Sequence, residues 1–238
     1  MDRRFLGILA AIVVVFVVIF AVTQNSNNGS GGSSSSNQPT NHVEGKGTTG
    51  VKLIEYGDYE CPVCGSYYPS VKQVASQYSN QIYFQFRNLP LSQIHPNAFA
   101  GARAAEAAGF QGKYWQMHDA LYENQDPAGA TGWVASKDPL DNYFVKFAQD
   151  IGIKDINKFK QDYSSDQANN AINADLNAFS KTGQAMATPT FFLDGKALDN
   201  AKLGVVNSQG TGLDTTKTVA NFAKLIDAEI AKKQPAKQ

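Results

Sequence analysis

Cys61 and Cys64, in Glu60-Cys61-Pro62-Val63-Cys64, are the two cysteines of this 238-residue chain, and they follow directly on the apolar run 51–56. With no third cysteine, each thiol bonds either its neighbour or a thiol on another molecule. A Cys-x-x-Cys where a strand passes into a helix lets one thiolate attack a foreign disulfide while the second thiol releases the resulting mixed disulfide. The chemistry expected is dithiol–disulfide exchange.

The reactivity of the first cysteine depends on the helix behind it. Tyr67, Val71, Val74 and Tyr78 recur at helical spacing, and Pro62 suits the first helical position, where its missing N–H is not needed. Cys61 then caps the helix, where free N–H groups and the macrodipole favour a thiolate. Cys64 falls in the first turn, more shielded, so Cys61 is assigned as the attacking thiol and Cys64 as the resolving one. Two blander readings compete. Half a zinc site would need its other ligands from three histidines without paired spacing, so no metal site is expected. A purely structural disulfide would close so short a loop that it removes little chain entropy.

The N-terminus bears on where this chemistry happens. Residues 5–22 carry no charge, follow Arg3 and Arg4, and at about 1.5 Å per residue nearly cross a ~30 Å hydrocarbon core. They are expected to form one transmembrane helix. The paired arginines, with no further Lys or Arg before Lys46, place the N-terminus in the cytoplasm and the rest outside. A cleaved signal peptide is the alternative, but the run is longer than a usual apolar core and 20–23 is a weak cleavage site. The expectation is a single-pass cell-membrane protein with an extracytoplasmic catalytic domain. Residues 23–49, rich in Ser, Gly and Asn, read as a flexible tether reaching some 30 Å.

The rest, 50–235, is long enough for one domain with a proper core. Twenty-one basic residues balance twenty-one acidic ones, which leaves no footprint for nucleic acid. Residues 51–57 and 82–87 read as strands flanking the Cys-x-x-Cys helix in β-α-β order, implying parallel pairing in an α/β fold. Helical patterns follow at about 96–108, 113–122, 155–163 and 166–179. The clearest carries Leu140, Tyr143, Phe144, Phe147 and Ile151 behind an Asp138 cap and Pro139. Strand character returns at 190–193, where Asp194-Gly195 signals a hairpin into 196–198. A last amphipathic helix carries Val219, Phe222, Ile226 and Ile230. A helical insertion at about 90–183 thus separates two halves of a small sheet.

Two segments, 55–64 with its Cys61-Pro62-Val63-Cys64 and 188–196 with its Thr188-Pro189-Thr190, together resemble the DsbA-like branch of the thioredoxin superfamily, in particular its membrane-anchored bacterial members. The likeness covers about 50–231. It implies a thioredoxin fold with an inserted helical domain, and a cis bond before Pro189 that packs beside the cysteines. On the same footing Cys61, Cys64, Pro189 and Glu55 are the expected catalytic set, and Thr188, Pro62 and Val63 are expected to meet the substrate. The competing reading of Pro189 is an ordinary proline at a strand start, since proline cannot sit in a central ladder. Glu55 stands where this family carries a buried acid near the resolving cysteine, and such a carboxyl has a raised pKa and can exchange a proton through water. By strand alternation it shares a face with Leu53 and could instead be a rim residue on an edge.

Some residues depart from the family pattern. Val63 replaces the histidine of the strongest oxidants, removing a cation beside Cys61, and the Glu60 anion disfavours the thiolate further. A less extreme oxidant is expected. His118 falls on the stripe Tyr114, Met117, Leu121 and Tyr122 and reads as a packed core residue. Asp58 reads as a solvated loop residue, with tuning of the site as the alternative, and His95, before Pro96, reads as lying near a helix start and receives no role.

The resemblance implies an extracytoplasmic thiol–disulfide oxidoreductase that introduces disulfides into exported proteins bearing thiols. It needs no cofactor beyond the Cys61–Cys64 disulfide, and a membrane quinone-linked partner would reoxidise it. A monomer is expected. A tethered reductase or isomerase, or a non-catalytic binding domain using the same fold, remains open.

Overall fold

The computed structural model describes residues 38–233. The apolar run 5–22 and the polar stretch up to residue 37 lie outside them, and with them the expected transmembrane helix. Among the described residues no helix is long and apolar enough to cross a membrane.

Short apolar runs and one parallel crossover build the sheet. β1 (His42–Glu44), β2 (Val51–Gly57), β3 (Ile82–Asn88), β4 (Thr190–Leu193) and β5 (Lys196–Ala197) lie in the order β1-β3-β2-β4-β5. β2 is therefore central, running parallel to β3 and antiparallel to β4, with Glu55 opposite Phe86 on one side and Phe191 on the other. Between β2 and β3 runs α1 (Pro62–Gln77). The β4–β5 turn places Asp194 and Gly195 at φ 48° and 80°, the left-handed pair that a two-residue hairpin of this kind requires.

Both faces of the sheet are covered, as a strand apolar on both sides demands. On one face Val51, Leu53, Phe84 and Phe191 pack against Tyr67, Val71 and Val74 of α1 and against Val219, Phe222 and Ile226 of α8 (Thr215–Lys233). On the other, Tyr56, Leu89 and Phe192 meet Phe179 of α6 (Asp166–Ser180). Each such buried side chain contributes about 1.5–3 kcal/mol relative to exposure.

The expected insertion lies between β3 and β4. It comprises α2 (Ala98–Gly109), α3 (Tyr114–Glu123), a short turn at Trp133–Ala135, α4 (Val145–Asp150), α5 (Ile156–Tyr163) and α6. Asp138 accepts the backbone N–H of Asp141, as its capping position implies, but Leu140–Phe144 winds as a π turn before α4 begins. The insertion has its own core around Trp133, Phe144 and Phe159, and Cys61 and Cys64 pack into that core rather than into the one beneath the sheet. A short helix, α7 (Asn200–Leu203), precedes α8.

The tether expected over 23–49 does not reach that far. Residues 42–44 form β1, pairing antiparallel with β3. Thr40 donates its N–H and hydroxyl to Asp175, both at 2.7 Å, and His42 stacks on Tyr114 while its Nε2 meets Glu106 at 2.9 Å. None of these partners is near in sequence, so a polar stretch that looks unable to bury anything is held by buried polar groups on α2, α3 and α6.

Candidate active site

Cys61 ends the loop after β2 in an extended conformation (φ −65°, ψ 119°), with Pro62 at the first helical position. Its carbonyl accepts the Gly65 N–H at 3.1 Å, the first bond of α1. The Val63 and Cys64 amides, free at a helix start, are left to face the Cys61 sulfur. Gln125 of the insertion clamps the same loop, its Nε2 donating to the carbonyls of Tyr59 at 2.6 Å and Cys61 at 3.0 Å.

The two thiols are driven apart in acidity. The Cys61 thiol falls to about 6, foremost because Cys64 donates to its sulfur; burial opposes this, while Thr188 and the Val63 and Cys64 amides add to it. Burial pushes the Cys64 thiol up, and its hydrogen bond to Cys61 and the charges of Cys61 and Glu55 push it further. A thiolate that accepts hydrogen bonds at a helix start is stabilised there; one sealed in an apolar core is not. The arrangement can hold a thiolate at Cys61 and a protonated thiol at Cys64 near neutrality.

Thr188 and Pro189 arrive from the far side of the insertion. Their peptide bond is cis, and the Cys61 thiol lies within donating distance of the Thr188 carbonyl. The Thr188 hydroxyl is buried without another partner, which leaves it as the donor a thiolate at Cys61 can use. Pro62 and Val63 are exposed beside the thiols, Val63 by 50%. A cleft of about 770 Å³ opens next to Pro62, between residues 94–97 and 126–137.

Glu55 is no rim residue. It sits on the central strand, 3% exposed, and burial with the charge of Cys61 raises its pKa to about 8. At neutral pH it is therefore mostly protonated. It borders a cavity of about 20 Å³ lined also by Tyr68, His118 and Tyr122, which leads towards Lys72 and Asp119; that volume admits about one water. His118 is buried in this aromatic cluster, 3.1 Å from the Tyr59 hydroxyl, and its pKa drops to about 3 through burial, so it stays neutral.

One expectation is overturned. Asp58 is not a solvated loop residue but is buried, accepting the N–H groups of Glu60 at 2.8 Å and Leu91 at 2.9 Å. His95, given no role from sequence, meets the same carboxylate through Nδ1 at 2.7 Å. Nothing in the local pattern around either residue signals this, because the pair joins the β2–α1 loop to the start of the insertion. Glu60, beside Cys61, accepts the Asn97 N–H at the head of α2 through its carboxylate. Among the described residues no cluster of three or more His, Cys, Asp or Glu side chains is placed to hold a metal ion.

A family model described as thioredoxin matches residues 37–228. Among solved structures, a thioredoxin-like oxidoreductase from Silicibacter pomeroyi is 22% identical, with a TM-score of 0.61 over 84% of this chain and 96% of that one. Oxidised BdbD from Bacillus subtilis is 19% identical, with a TM-score of 0.62 over 82% and 96%. MdbA of Actinomyces oris, a thiol-disulfide oxidoreductase, is 18% identical, with a TM-score of 0.56 over 78% and 86%. At these identities the likeness carries the fold. Among curated proteins, the Na(+)/H(+) antiporter NhaA 1 of Salinispora arenicola is 37% identical over 160 residues, which is 66% of this chain and 22% of that protein. NhaA 3 of Salinispora tropica is 33% identical over 156 residues, again 66% and 22%. The chain thus spans about a fifth of the length of the curated relatives it matches.

Proposed function

This chain belongs to the thioredoxin family, and from that premise we propose that it is a DsbA-like thiol–disulfide oxidoreductase that introduces disulfides into exported proteins. The observation that carries this reading is the opposed tuning of the pair, with the Cys61 thiol lowered to about 6 and that of Cys64 raised. A purely structural pair has no need of such a difference.

The reaction follows from those positions. A substrate thiolate attacks Cys61 Sγ, a substrate–Cys61 bond forms, the Cys61–Cys64 bond breaks, and Cys64 leaves as a thiolate. Cys64 is the poorer place for a charge, so it takes a proton; Glu55, protonated at neutral pH and near enough for its charge to raise the Cys64 thiol, supplies it. A second substrate thiolate then attacks the substrate sulfur of the mixed disulfide. The substrate disulfide forms and Cys61 leaves as the thiolate its surroundings favour. Two electrons have passed from substrate to enzyme. A membrane quinone-linked partner removes them and restores the Cys61–Cys64 bond. Thr188, Pro189, Pro62 and Val63 frame the sulfur under attack, and no cofactor takes part.

The uncharged run 5–22 and the arginine pair before it support an anchored, extracytoplasmic domain. The test combines activity with location. Oxidised protein mixed with a reduced, unfolded protein should form disulfides in it while gaining two free thiols. Protease added to intact wall-free cells should release the folded domain. A pair that stays closed and inert would support a non-catalytic binding domain instead.

A further inference from the structure

Asp58 carries its buried carboxylate three residues before Cys61. Its Oδ1 takes the Glu60 N–H, its Oδ2 takes the Leu91 N–H and His95 Nδ1, and its carbonyl takes the Cys61 N–H at 3.1 Å. The Asp58 side chain is fully buried while that of His95 is 16% exposed, at the wall of the cleft that Pro62 borders. A buried anion so close to Cys61 works against a thiolate there. Pro62 and Val63 bring no cation to offset it.

We propose that His95, seated on Asp58, is the cation that offsets this charge and sustains the Cys61 thiolate, making it a positioning residue for the nucleophile. It occupies, from the head of the insertion, the electrostatic role left open by Val63. The imidazole is pulled towards its protonated form first by the hydrogen bond to Asp58, against burial, and then by the charges of Asp58, Cys61 and Glu60. Those three face it from the β2–α1 loop, while Asp126 and Lys137 line the cleft with it. From about pH 6, where Cys61 ionises, up to the raised midpoint of His95, thiolate and imidazolium coexist. Above that midpoint the Asp58 charge is uncompensated. This deepens the oxidoreductase reading and rests on it, but the test measures only the ionisation of Cys61. Failure to oxidise proteins and failure of the coupling are therefore separate results.

His95→Asn keeps a donor for Asp58 and removes the charge. In the reduced full-length protein, capture of Cys61 by iodoacetamide should slow roughly twofold at pH 6, the effect of about half a pKa unit on a thiol that ionises there, and be unchanged at pH 9, where Cys61 is ionised with or without the imidazolium. Equal slowing at both values means a structural role and overturns the proposal, as does no slowing at either. The coupling is also reciprocal. Without any variant, the proton-NMR titration of His95 should move to lower pH when the Cys61–Cys64 disulfide forms and the thiolate is lost. An identical midpoint in the two redox states overturns it even if the variant fails to fold.

Discussion

The Cys61 thiol lies 3.5 Å from the carbonyl oxygen of Thr188, a residue 127 positions further along the chain. The contact exists because β4 pairs with β2, which brings the chain just before β4 to the C-terminal end of β2, where α1 begins. Around it the two thiols acquire different jobs.

Division of labour is the first consequence. Cys64→Ala should accumulate mixed disulfides with protein substrates through Cys61, while Cys61→Ala should trap almost none, since the remaining thiol is buried and its pKa raised. Non-reducing gels of trapped adducts read the difference, and equal trapping by both variants would reverse the assignment.

Glu55 makes stability depend on pH with a definite sign. Its folded pKa, about 8, exceeds the ordinary 4.5, so the contribution of the neutral carboxyl is complete below pH 4.5 and is lost as pH rises through 8. Glu55→Gln should therefore gain stability over the parent as pH climbs, on the order of 3 kcal/mol by pH 7. Urea unfolding of both proteins in the dithiol form, between pH 4.5 and 8, measures it. Parallel curves would mean that Glu55 ionises normally.

Val63, half exposed next to the attacking sulfur, offers a direct handle on redox poise. Val63→His should stabilise the Cys61 thiolate and make the disulfide more oxidising. Equilibration with a glutathione series, reading the disulfide fraction, should show the variant reduced at weaker reducing poise than the parent. A shift the other way would mean that the exposed imidazole does not act on the thiolate.

The edge strand β1 can be tested by truncation. A chain starting at Val51 loses Thr40 and His42, leaving the buried carboxylates of Asp175 and Glu106 short of partners. Relative to a chain starting at Gln38, it should lose roughly 2–4 kcal/mol in urea unfolding. Equal stability would return residues 38–50 to the tether.

Much of the fold is set by local signals. The apolar runs of β2 and β4, the stripe on α1 and the Asp194-Gly195 turn each state their own conformation within a few residues. The Cys-x-x-Cys at a helix start likewise declares which thiol is exposed to the helix amides. Sequence alone could not decide groups whose partners lie far along the chain. Asp58 became buried because Leu91 and His95 close over it, β1 formed because Asp175 and Glu106 wait for Thr40 and His42, and Glu55 became a proton-bearing acid because β2 is central. A polar residue's type fixes what it can bond but not whether water reaches it. Ionisation depends on that exclusion of water, which arises only when distant elements pack together.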